Sequence, residues 1–332
     1  MAKNWKGVRV LVTGAGGFIG SHLTEELARR GAKVRALVRY NSRSHWGFLE
    51  DLSKELKPRV DVWSGDITDP FYVSELAKDQ EVVFHLAALI AIPYSYIAPS
   101  SYVATNIGGT LNVLEACRSR GVRKLVHTST SEVYGTALYT PIDENHPLQG
   151  QSPYSASKIG ADKLAESFHR SFRLPVAVAR PFNAYGPRQS ARAVIPTVIS
   201  QALSGRAEIK LGSVTPVRDF NYVTDTVAGF LAIAQSPRTI GEVVNIGSGR
   251  GVTIGETARQ IMKITKSRCK IALDSKRLRP QASEVFKLVC GNRKIKKLTG
   301  WKPQVSLERG LAATIGHVER HRGQYKDALY NV

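Results

Sequence analysis

The pattern of apolar and polar residues begins with a largely apolar run over residues 8–13, interrupted by Arg9, which ends in a glycine-rich turn. Such a run is typical of a strand buried on both faces of a parallel sheet. Residues 21–30 then carry apolar side chains at helical spacing up to Gly31, and residues 34–38, apolar except for Arg35, follow as a second predicted strand. The chain therefore starts with a predicted strand, helix and strand.

The same alternation continues through the first half of the chain. Further strands are predicted at residues 60–63, 81–86, 124–128 and 176–179, with helical stretches at 70–79, 101–120 and 152–172. The last helix begins at Ser152-Pro153, a pair that favours a helix N-terminus. Strands that alternate with helices predict an α/β fold with a doubly wound parallel sheet of the Rossmann type.

Beyond Arg180 the rhythm changes, because prolines and glycines interrupt the apolar runs. Here we predict a smaller α/β part formed by residues 181–218 and 248–332. Residues 221–235 and 243–246 are expected to return to the large sheet, so the large part consists of residues 1–180 with about 219–247.

The charge raises the question of a polyanionic partner. The 332 residues carry 47 Lys/Arg against 27 Asp/Glu, a net charge of +20, as nucleic-acid-binding proteins often do. Half of the excess lies in residues 266–302, which hold 12 basic and two acidic residues. No aromatic residues alternate with these charges as they do on single-strand binding surfaces. We interpret the charge as a solvated basic surface, and a nucleic-acid partner is not expected.

Other compositional features narrow the class of protein. No apolar run approaches the roughly 20 residues that span a bilayer, and no apolar leader precedes the first strand. A cytoplasmic protein without a membrane partner is therefore expected. Cys117, Cys269 and Cys290 lack paired spacing, so neither a disulfide framework nor a metal site is expected.

A dinucleotide site is predicted at the glycine-rich turn. Gly14, Gly17 and Gly20, with Phe18 and Ile19 between them, follow the first strand and open a helix. This spacing lets the backbone approach a pyrophosphate, whose charge the helix N-terminus favours. The turn therefore predicts a bound nicotinamide dinucleotide.

The end of the second strand bears on the choice between NAD and NADP, because an acidic residue there binds the ribose 2′-hydroxyl. This chain has Arg39 and Arg43 instead, whose guanidinium groups suit a 2′-phosphate. NADP is thus slightly favoured, while two merely solvated arginines would leave NAD equally suitable. Asp66, followed by Ile67, is expected to accept a hydrogen bond from the adenine amine.

Candidate catalytic residues come from two motifs. Tyr154 and Lys158 lie one helical turn apart and face the same way. A nearby ammonium and a nicotinamide cation favour the phenolate, and about 4 kcal/mol of stabilisation lowers the phenol pKa by roughly three units. Thr130 and Glu132 follow the strand at 124–128, at the edge where ligands bind. These groups predict oxidation of a sugar carbon and acid–base chemistry on its neighbour.

Several longer segments carry a resemblance to one family. They are TGAGGFIG (13–20), HLAALIAIPYSY (85–96), HTSTSEVYG (127–135), YSASK (154–158), RPFNAYGPRQ (180–189), RDFNYV (218–223) and VNIGSG (244–249). Together they resemble the NAD-dependent epimerase/dehydratase family of extended short-chain dehydrogenases/reductases, which modify nucleotide sugars. The resemblance covers essentially the whole chain. It implies that a Rossmann domain holds NAD or NADP and that the smaller part holds a nucleotide sugar.

Within this family, the Thr-Ser-Glu form of the central motif is similar to that of 4,6-dehydratases, whereas simple 4-epimerases usually lack the glutamate. The chain most resembles NAD-dependent 4,6-dehydratases of the legionaminic-acid type, which act on nucleotide-linked N-acetylglucosamine. Residues 40–42, 46–47, 85–94 and 147–154 carry this closer likeness.

The resemblance implies a role for each residue of the central motifs. Tyr154 would take the proton of the sugar 4-hydroxyl, Thr130 would orient that hydroxyl, and Lys158 would hold the nicotinamide ribose. Glu132 would remove the C5 proton, water would leave from C6, and the stored hydride would return to C6. The cofactor would therefore stay bound and be regenerated in each cycle. Further cofactor contacts are implied for Leu86, Ala87, Ala88 and Pro181.

Substrate contacts are likewise implied by family position, for Asn183, Arg188, Arg192, Val194, Arg218 and Arg279. Arg218 and Arg279 are the expected partners of the diphosphate, because a guanidinium binds phosphate oxygens in pairs. Relatives dimerise through helices that correspond to residues 101–119 and 153–171, so a homodimer is expected by analogy.

Ser131 departs from the pattern of dTDP-glucose dehydratases, which carry at this position the aspartate that protonates the leaving hydroxyl. Either Glu132 serves both steps or a water relay does, as in GDP-mannose dehydratases. The departure keeps a UDP-glucuronate decarboxylase as an alternative, since those enzymes share Thr-Ser-Glu, and a 4-epimerase is another. A different class of protein is a non-catalytic Rossmann protein that binds nucleic acid through its basic surface.

Overall fold

A seven-stranded parallel sheet forms the centre of the computed structural model, which describes residues 5–278 and 280–325. The strands are β1 Arg9–Thr13, β2 Lys33–Arg39, β3 Val60–Gly65, β4 Val82–His85, β5 Lys124–Thr128, β6 Val176–Pro181, β7 Asn183–Tyr185, β8 Glu208–Leu211, β9 Val217–Arg218, β10 Phe220–Tyr222, β11 Val243–Ile246, β12 Val252–Thr253, β13 Lys270–Leu273 and β14 Lys287–Leu288. The large sheet has the order β11-β6-β5-β4-β1-β2-β3. The predicted Rossmann-type α/β fold is confirmed.

The strand order reverses at β1. β2 and β3 continue from one side of it, while β4, β5, β6 and β11 continue from the other. Thr13 at the end of β1 lies opposite His85 at the end of β4. In a doubly wound sheet this reversal opens a crevice at the carboxyl ends of the strands, where ligands bind.

Helices cover both faces of the large sheet and build the smaller part. They are α1 Phe18–Arg29, α2 Pro70–Ala77, α3 Ile92–Ile97, α4 Pro99–Tyr102, α5 Gly109–Ser119, α6 Pro153–Phe172, α7 Val194–Leu203, α8 Val223–Gln235, α9 Ile254–Thr265, α10 Arg293–Thr299 and α11 Leu307–Arg320. On one face Leu23 of α1 and Phe230 of α8 enter the core; on the other, Leu76 of α2, Leu114 of α5 and Ala165 of α6 do. None of the described helices is both long and apolar enough to cross a bilayer.

The single helix predicted at 101–120 is divided in the structure. A π-helical turn, Val103–Gly108, separates α4 from α5. Its buried Asn106 accepts the N–H of Leu89 at 2.9 Å and donates to the carbonyl of Leu89 at 3.0 Å. This side chain therefore binds the strand-end segment that follows β4, and π turns of this kind are frequent at functional sites.

The smaller part packs around its own apolar core, in which Ile199 of α7, Ile261 of α9 and Leu311 of α11 are buried. As expected, β11 returns to the large sheet beside β6, and α8 packs on that sheet. Two details differ from the expectation. Residues 220–222 pair with β7 instead, and α10 packs through Ile295 on the core of the large sheet. The division into two domains stays a prediction.

Candidate active site

The glycine turn after β1 forms a close backbone cradle. Gly14 has a φ of +70°, which favours glycine, and a Cβ there would lie 2.8 Å from the amide nitrogen of Ala87. A Cβ on Gly20 would lie 2.1 Å from the carbonyl oxygen of Gly14. The N-terminus of α1 thus packs directly on the turn, and its backbone is open to a phosphate.

A loop after β2 covers the glycine turn; the sequence analysis considered Arg43 of this loop as a partner for a 2′-phosphate but not the contact of the loop with the turn. The amide of Phe48 donates to the carbonyl of Gly16 at 3.0 Å. The Asn41 amide group shapes the loop, since it donates to the carbonyl of His45 at 2.8 Å and accepts the N–H of His45 at 3.1 Å. The residue in the sequence that could have indicated this contact is Gly47. In the structure, a Cβ at this position would lie 2.4 Å from the Gly16 carbonyl oxygen, so the close approach requires glycine.

A cleft of about 880 Å³ opens at the carboxyl edge of the large sheet. It brings together the predicted cofactor and catalytic residues, namely Gly14, Gly17, Phe18, Ile19, Gly20, Arg39, Asp66, Ile67, Leu86, Ala87, Ala88, Thr130, Ser131, Glu132, Tyr154, Lys158 and Pro181. Asp66 also closes a turn, because its Oδ1 accepts the N–H of Thr68 at 2.9 Å. The individual roles of these residues stay predictions.

Thr130 and Glu132 are positioned by a short 3₁₀ turn, Ser131–Tyr134, directly after β5. The Thr130 hydroxyl caps this turn by accepting the N–H of Glu132 at 3.2 Å. Val133 and Tyr134 are fully buried, and Ser131 is almost so. The half-buried Glu132 is therefore the carboxylate that this turn presents to the cleft.

The first two turns of α6 hold Tyr154 and Lys158. The Ser152 hydroxyl caps the helix by accepting the N–H of Ser155 at 3.1 Å, and Pro153 occupies the first turn. Lys158 Nζ donates to the carbonyl of Thr128 at 2.6 Å. This hydrogen bond ties the lysine to the end of β5, beside Thr130.

Burial shifts the pKa values of both residues. It raises the pKa of Tyr154 above its ordinary value, with a further rise from the Glu132 charge, while the nearby Thr130 hydroxyl opposes the rise. Burial lowers the pKa of Lys158 to about 8, although Asp162 opposes this shift. The protein's own groups therefore favour the protonated form of the Tyr154 phenol. The phenolate that the sequence analysis expects then depends on the positive charge of a bound nicotinamide.

A buried ion pair beneath Lys158 was not anticipated. Asp162, one turn further along α6, accepts hydrogen bonds from Arg180 Nε at 3.0 Å and Nη2 at 2.9 Å. It also accepts the Ser129 hydroxyl at 2.7 Å. Burial disfavours its charge, but His127 and Arg180 hold the pKa of Asp162 at about 2. The sequence feature that could have indicated this ion pair is Arg180, a charged residue directly after the apolar strand predicted at 176–179.

Comparison with known proteins identifies the family. The profile of the family described as GDP-mannose 4,6 dehydratase matches residues 11–314. The chain belongs to the NAD-dependent epimerase/dehydratase family of extended short-chain dehydrogenases/reductases. The resemblance inferred from the sequence motifs is confirmed.

Similar members of the family differ in reaction. The UDP-glucose 4-epimerase of Mycolicibacterium smegmatis is 33% identical over 93% of this chain and 97% of its own length. The UDP-N-acetyl-α-D-glucosaminuronate decarboxylase of Bacillus cytotoxicus is 33% identical over 92% and 96%, respectively. The structure of DesIV, a dTDP-glucose 4,6-dehydratase from Streptomyces venezuelae solved with NAD, is 30% identical with a TM-score of 0.86, over 96% of this chain and 99% of its own.

The family is NAD-dependent, and the cleft fits NAD. The glycine cradle leaves no side chain between the α1 N-terminus and a pyrophosphate, and Tyr154 and Lys158 line the same cleft. Arg39 lines the cleft as well, whereas the exposed Arg43 is not among its lining residues. A preference of this family member for NADP stays a prediction.

The predicted substrate residues separate into two groups. Asn183 and Arg192 line the cleft. Arg188, Val194 and Arg218 are not among the lining residues, so the cleft by itself lends these three no support, and their substrate contacts stay predictions. Arg188 pairs with Glu25 at 2.8 Å, Val194 packs on the core of the smaller part, and the buried Arg218 lies 3.5 Å from Glu284. Arg279 lies outside the described residues.

Proposed function

We propose that this family member is a nucleotide-sugar 4,6-dehydratase, which converts UDP-N-acetylglucosamine or a related nucleotide-linked hexose to the 4-keto-6-deoxy sugar. The observation that carries the proposal is Glu132, whose carboxylate lines the same cleft as Thr130, Tyr154 and Lys158. A dehydratase needs a base for C5 in addition to the groups that act at C4. A 4-epimerase has no use for a base at C5.

The first half of the proposed reaction occurs at C4 of the sugar. Bound NAD supplies a hydride acceptor and a positive charge next to Tyr154. Tyr154 accepts the proton of the 4-hydroxyl, while the Thr130 hydroxyl orients that group. Lys158 holds the nicotinamide ribose, and its ammonium is anchored by the Thr128 carbonyl at 2.6 Å.

The second half requires a base for the C5 proton, which the 4-ketone makes acidic. Glu132 serves as this base. It is half-buried at the cleft, and the capped 3₁₀ turn Ser131–Tyr134 holds its backbone in place. The neighbouring Ser131 is 2% exposed and carries no acidic group, so it does not protonate the departing C6 hydroxyl. Protonated Glu132 delivers that proton, either directly or through a water molecule.

The test is incubation of the purified protein with UDP-N-acetylglucosamine, UDP-glucuronate, GDP-mannose and dTDP-glucose in parallel, followed by mass spectrometry and proton NMR. Loss of one water with a new C6 methyl doublet supports the dehydratase and names its nucleotide. Unchanged mass with inverted C4 would make the protein an epimerase, and loss of carbon dioxide a decarboxylase. No reaction with any of the four nucleotide sugars, together with salt-sensitive binding to nucleic acid, would favour a non-catalytic protein.

The decarboxylase is the second candidate, and Ser131 is the observation that favours it. The sequence carries Thr-Ser-Glu, as UDP-glucuronate decarboxylases do, and decarboxylation needs no acid for a leaving hydroxyl. UDP-glucuronate is therefore the decisive comparison substrate, because it lacks the C6 hydroxyl that a dehydratase removes.

We further propose a homodimer formed through α5 and α6. Leu111 on α5 and Phe172 on α6 leave 39% and 49% of their surfaces exposed, and an apolar interface would cover them. Size-exclusion chromatography with light scattering tests this, with Leu111→Glu expected to yield monomers. A monomeric wild-type protein would contradict the proposal. The cytoplasmic location stays a prediction.

A further inference from the structure

A buried carboxylate lies behind the Tyr154/Lys158 pair. Asp162 is fully buried on α6, where it follows Lys158 by one helical turn. Arg180 of β6 donates two hydrogen bonds to its Oδ2, and Ser129 donates a third at 2.7 Å. His127 of β5 approaches the other oxygen, with Nε2 at 3.4 Å from Oδ1. The carboxylate thus joins α6 to the ends of two central strands.

Ser129 connects this carboxylate to the cleft. It lies between Thr128, whose carbonyl accepts the Lys158 ammonium at 2.6 Å, and Thr130, which lines the cleft. Because Asp162 holds the Ser129 hydroxyl, it fixes the backbone that presents both neighbours. The positions of the Thr128 carbonyl and of Thr130 in the proposed active site therefore depend on Asp162, which lies outside the cleft.

The electrostatic surroundings give Asp162 a second effect. The titratable and charged groups that face Lys158 and Asp162 are Tyr154 on α6, His85 on β4, His127 on β5 and Arg180 on β6, with Glu132 beyond Tyr154. Burial lowers the pKa values of His85 and His127, so both rings are neutral at neutral pH. Asp162 is the group that opposes the loss of the Lys158 proton.

We propose that Asp162 is a positioning residue of the active site, which keeps Lys158 charged and fixes the Thr128 carbonyl that receives its ammonium. This inference rests on the proposed roles of Tyr154 and Lys158 but on no particular substrate. A lysine that lost its proton would hold ribose hydroxyls less well and would no longer stabilise a phenolate.

The decisive experiment is an NMR titration of Lys158 in the full-length protein labelled with carbon-13 at the lysine ε-carbon. Lys158→Arg assigns the signal. The wild-type signal should titrate with a midpoint near 8, the value to which burial lowers the pKa of Lys158. In Asp162→Asn the midpoint should fall by about one pH unit or more, because an adjacent opposite charge has been removed.

Matched variants separate this effect from a loss of structure. Glu166→Gln removes a carboxylate one turn further along α6, where it pairs with Lys163 at 3.0 Å, and should leave the Lys158 midpoint unchanged. Asp162→Glu keeps the charge and should restore the midpoint. Because Asp162→Asn leaves Arg180 buried without its anion, Asp162→Asn combined with Arg180→Met provides a variant without that penalty. A wild-type midpoint in folded Asp162→Asn, or a midpoint in the double variant equal to that of Arg180→Met, would overturn the proposal.

Turnover gives an independent reading once a substrate is found. The alkaline limb of kcat/KM should move to lower pH in Asp162→Asn, since Lys158 loses its proton earlier. A purely structural defect would lower the whole profile without moving the limb, and that result would also overturn the proposal. If none of the nucleotide sugars reacts, the proposed function fails while the NMR titration still decides the role of Asp162.

Discussion

Arg188 Nη2 lies 2.8 Å from Glu25 Oε2, an ion pair that ties the loop after β7 to α1. The two side chains are only 12% and 22% exposed. A second contact lies beside this pair, because His22 Nε2 is 3.0 Å from the carbonyl oxygen of Pro187. Arg188 therefore joins the helix of the cofactor turn to the segment that carries Gln189 and Arg192 into the cleft.

This geometry predicts different effects for two arginines of the same segment. Arg188→Met should lower the free energy of unfolding by about 1–3 kcal/mol, because a largely buried charged hydrogen bond is lost. Its KM for the nucleotide sugar should change little. Arg192→Met should raise KM with unchanged stability, since Arg192 lines the cleft. Urea unfolding and steady-state kinetics measure both quantities, and a KM effect confined to Arg188→Met would contradict the assignment.

Glu132→Gln tests whether Glu132 acts at C5 while Tyr154 acts at C4. The variant should oxidise C4 and then stop, because an amide cannot remove the C5 proton. The absorbance of reduced nicotinamide should therefore accumulate when substrate is added. Tyr154→Phe is the matched comparison, since it removes the base for the first step and should show no such absorbance. Turnover of Glu132→Gln at the wild-type rate would exclude Glu132 as the base.

Gly20→Ala should weaken both the cofactor site and the fold. The added methyl would lie 2.1 Å from the Gly14 carbonyl oxygen, so the turn or α1 must move. We expect a loss of about 1–3 kcal/mol in stability and a large drop in co-purified NAD. Gly323→Ala is the control, because nothing lies within 4 Å of a Cβ there. Thermal unfolding and the NAD released on denaturation are the measurements. Equal NAD content in both variants would contradict a role of the Gly14–Gly20 turn in NAD binding.

Lys124 gives the unfolding free energy a predictable pH dependence. It is buried at the start of β5, donates to the Thr239 hydroxyl at 2.8 Å, and has its pKa lowered by burial to about 7. An unfolded lysine has a pKa of about 10.4, so between these values the unfolded chain binds more protons than the folded one. Stability should therefore rise with pH across this window, by at most about 1.4 kcal/mol per unit.

The test compares Lys124→Met with the wild type in urea at several pH values between about 7 and about 10. The substitution should remove this part of the slope, while burial of Lys158 contributes equally to both proteins. Lys163→Met is the control, since 57% of that side chain is exposed. Identical slopes in Lys124→Met and the wild type would show that Lys124 does not titrate in this window.

The sequence by itself determined the order of strands and helices in the first half of the chain and the two motifs that meet in the cleft. The strand at Lys124–Thr128 matches its predicted bounds, and Val176–Pro181 extends its prediction by two residues. These features are readable because they depend on local rules. Apolar runs mark buried strands, glycine spacing marks a phosphate turn, and a separation of four residues in a helix places Tyr154 and Lys158 on one face.

Only the tertiary structure decided which charged residues belong to the cleft. Arg188, whose substrate contact stays a prediction, pairs with Glu25 of α1; Asp162 was not considered from the sequence, yet it pairs with Arg180 of β6 beneath Lys158. An ionic side chain can pair with any opposite charge that folding brings near. Its partner is therefore set by how helices and strands distant in sequence pack together, which no local pattern of residues encodes.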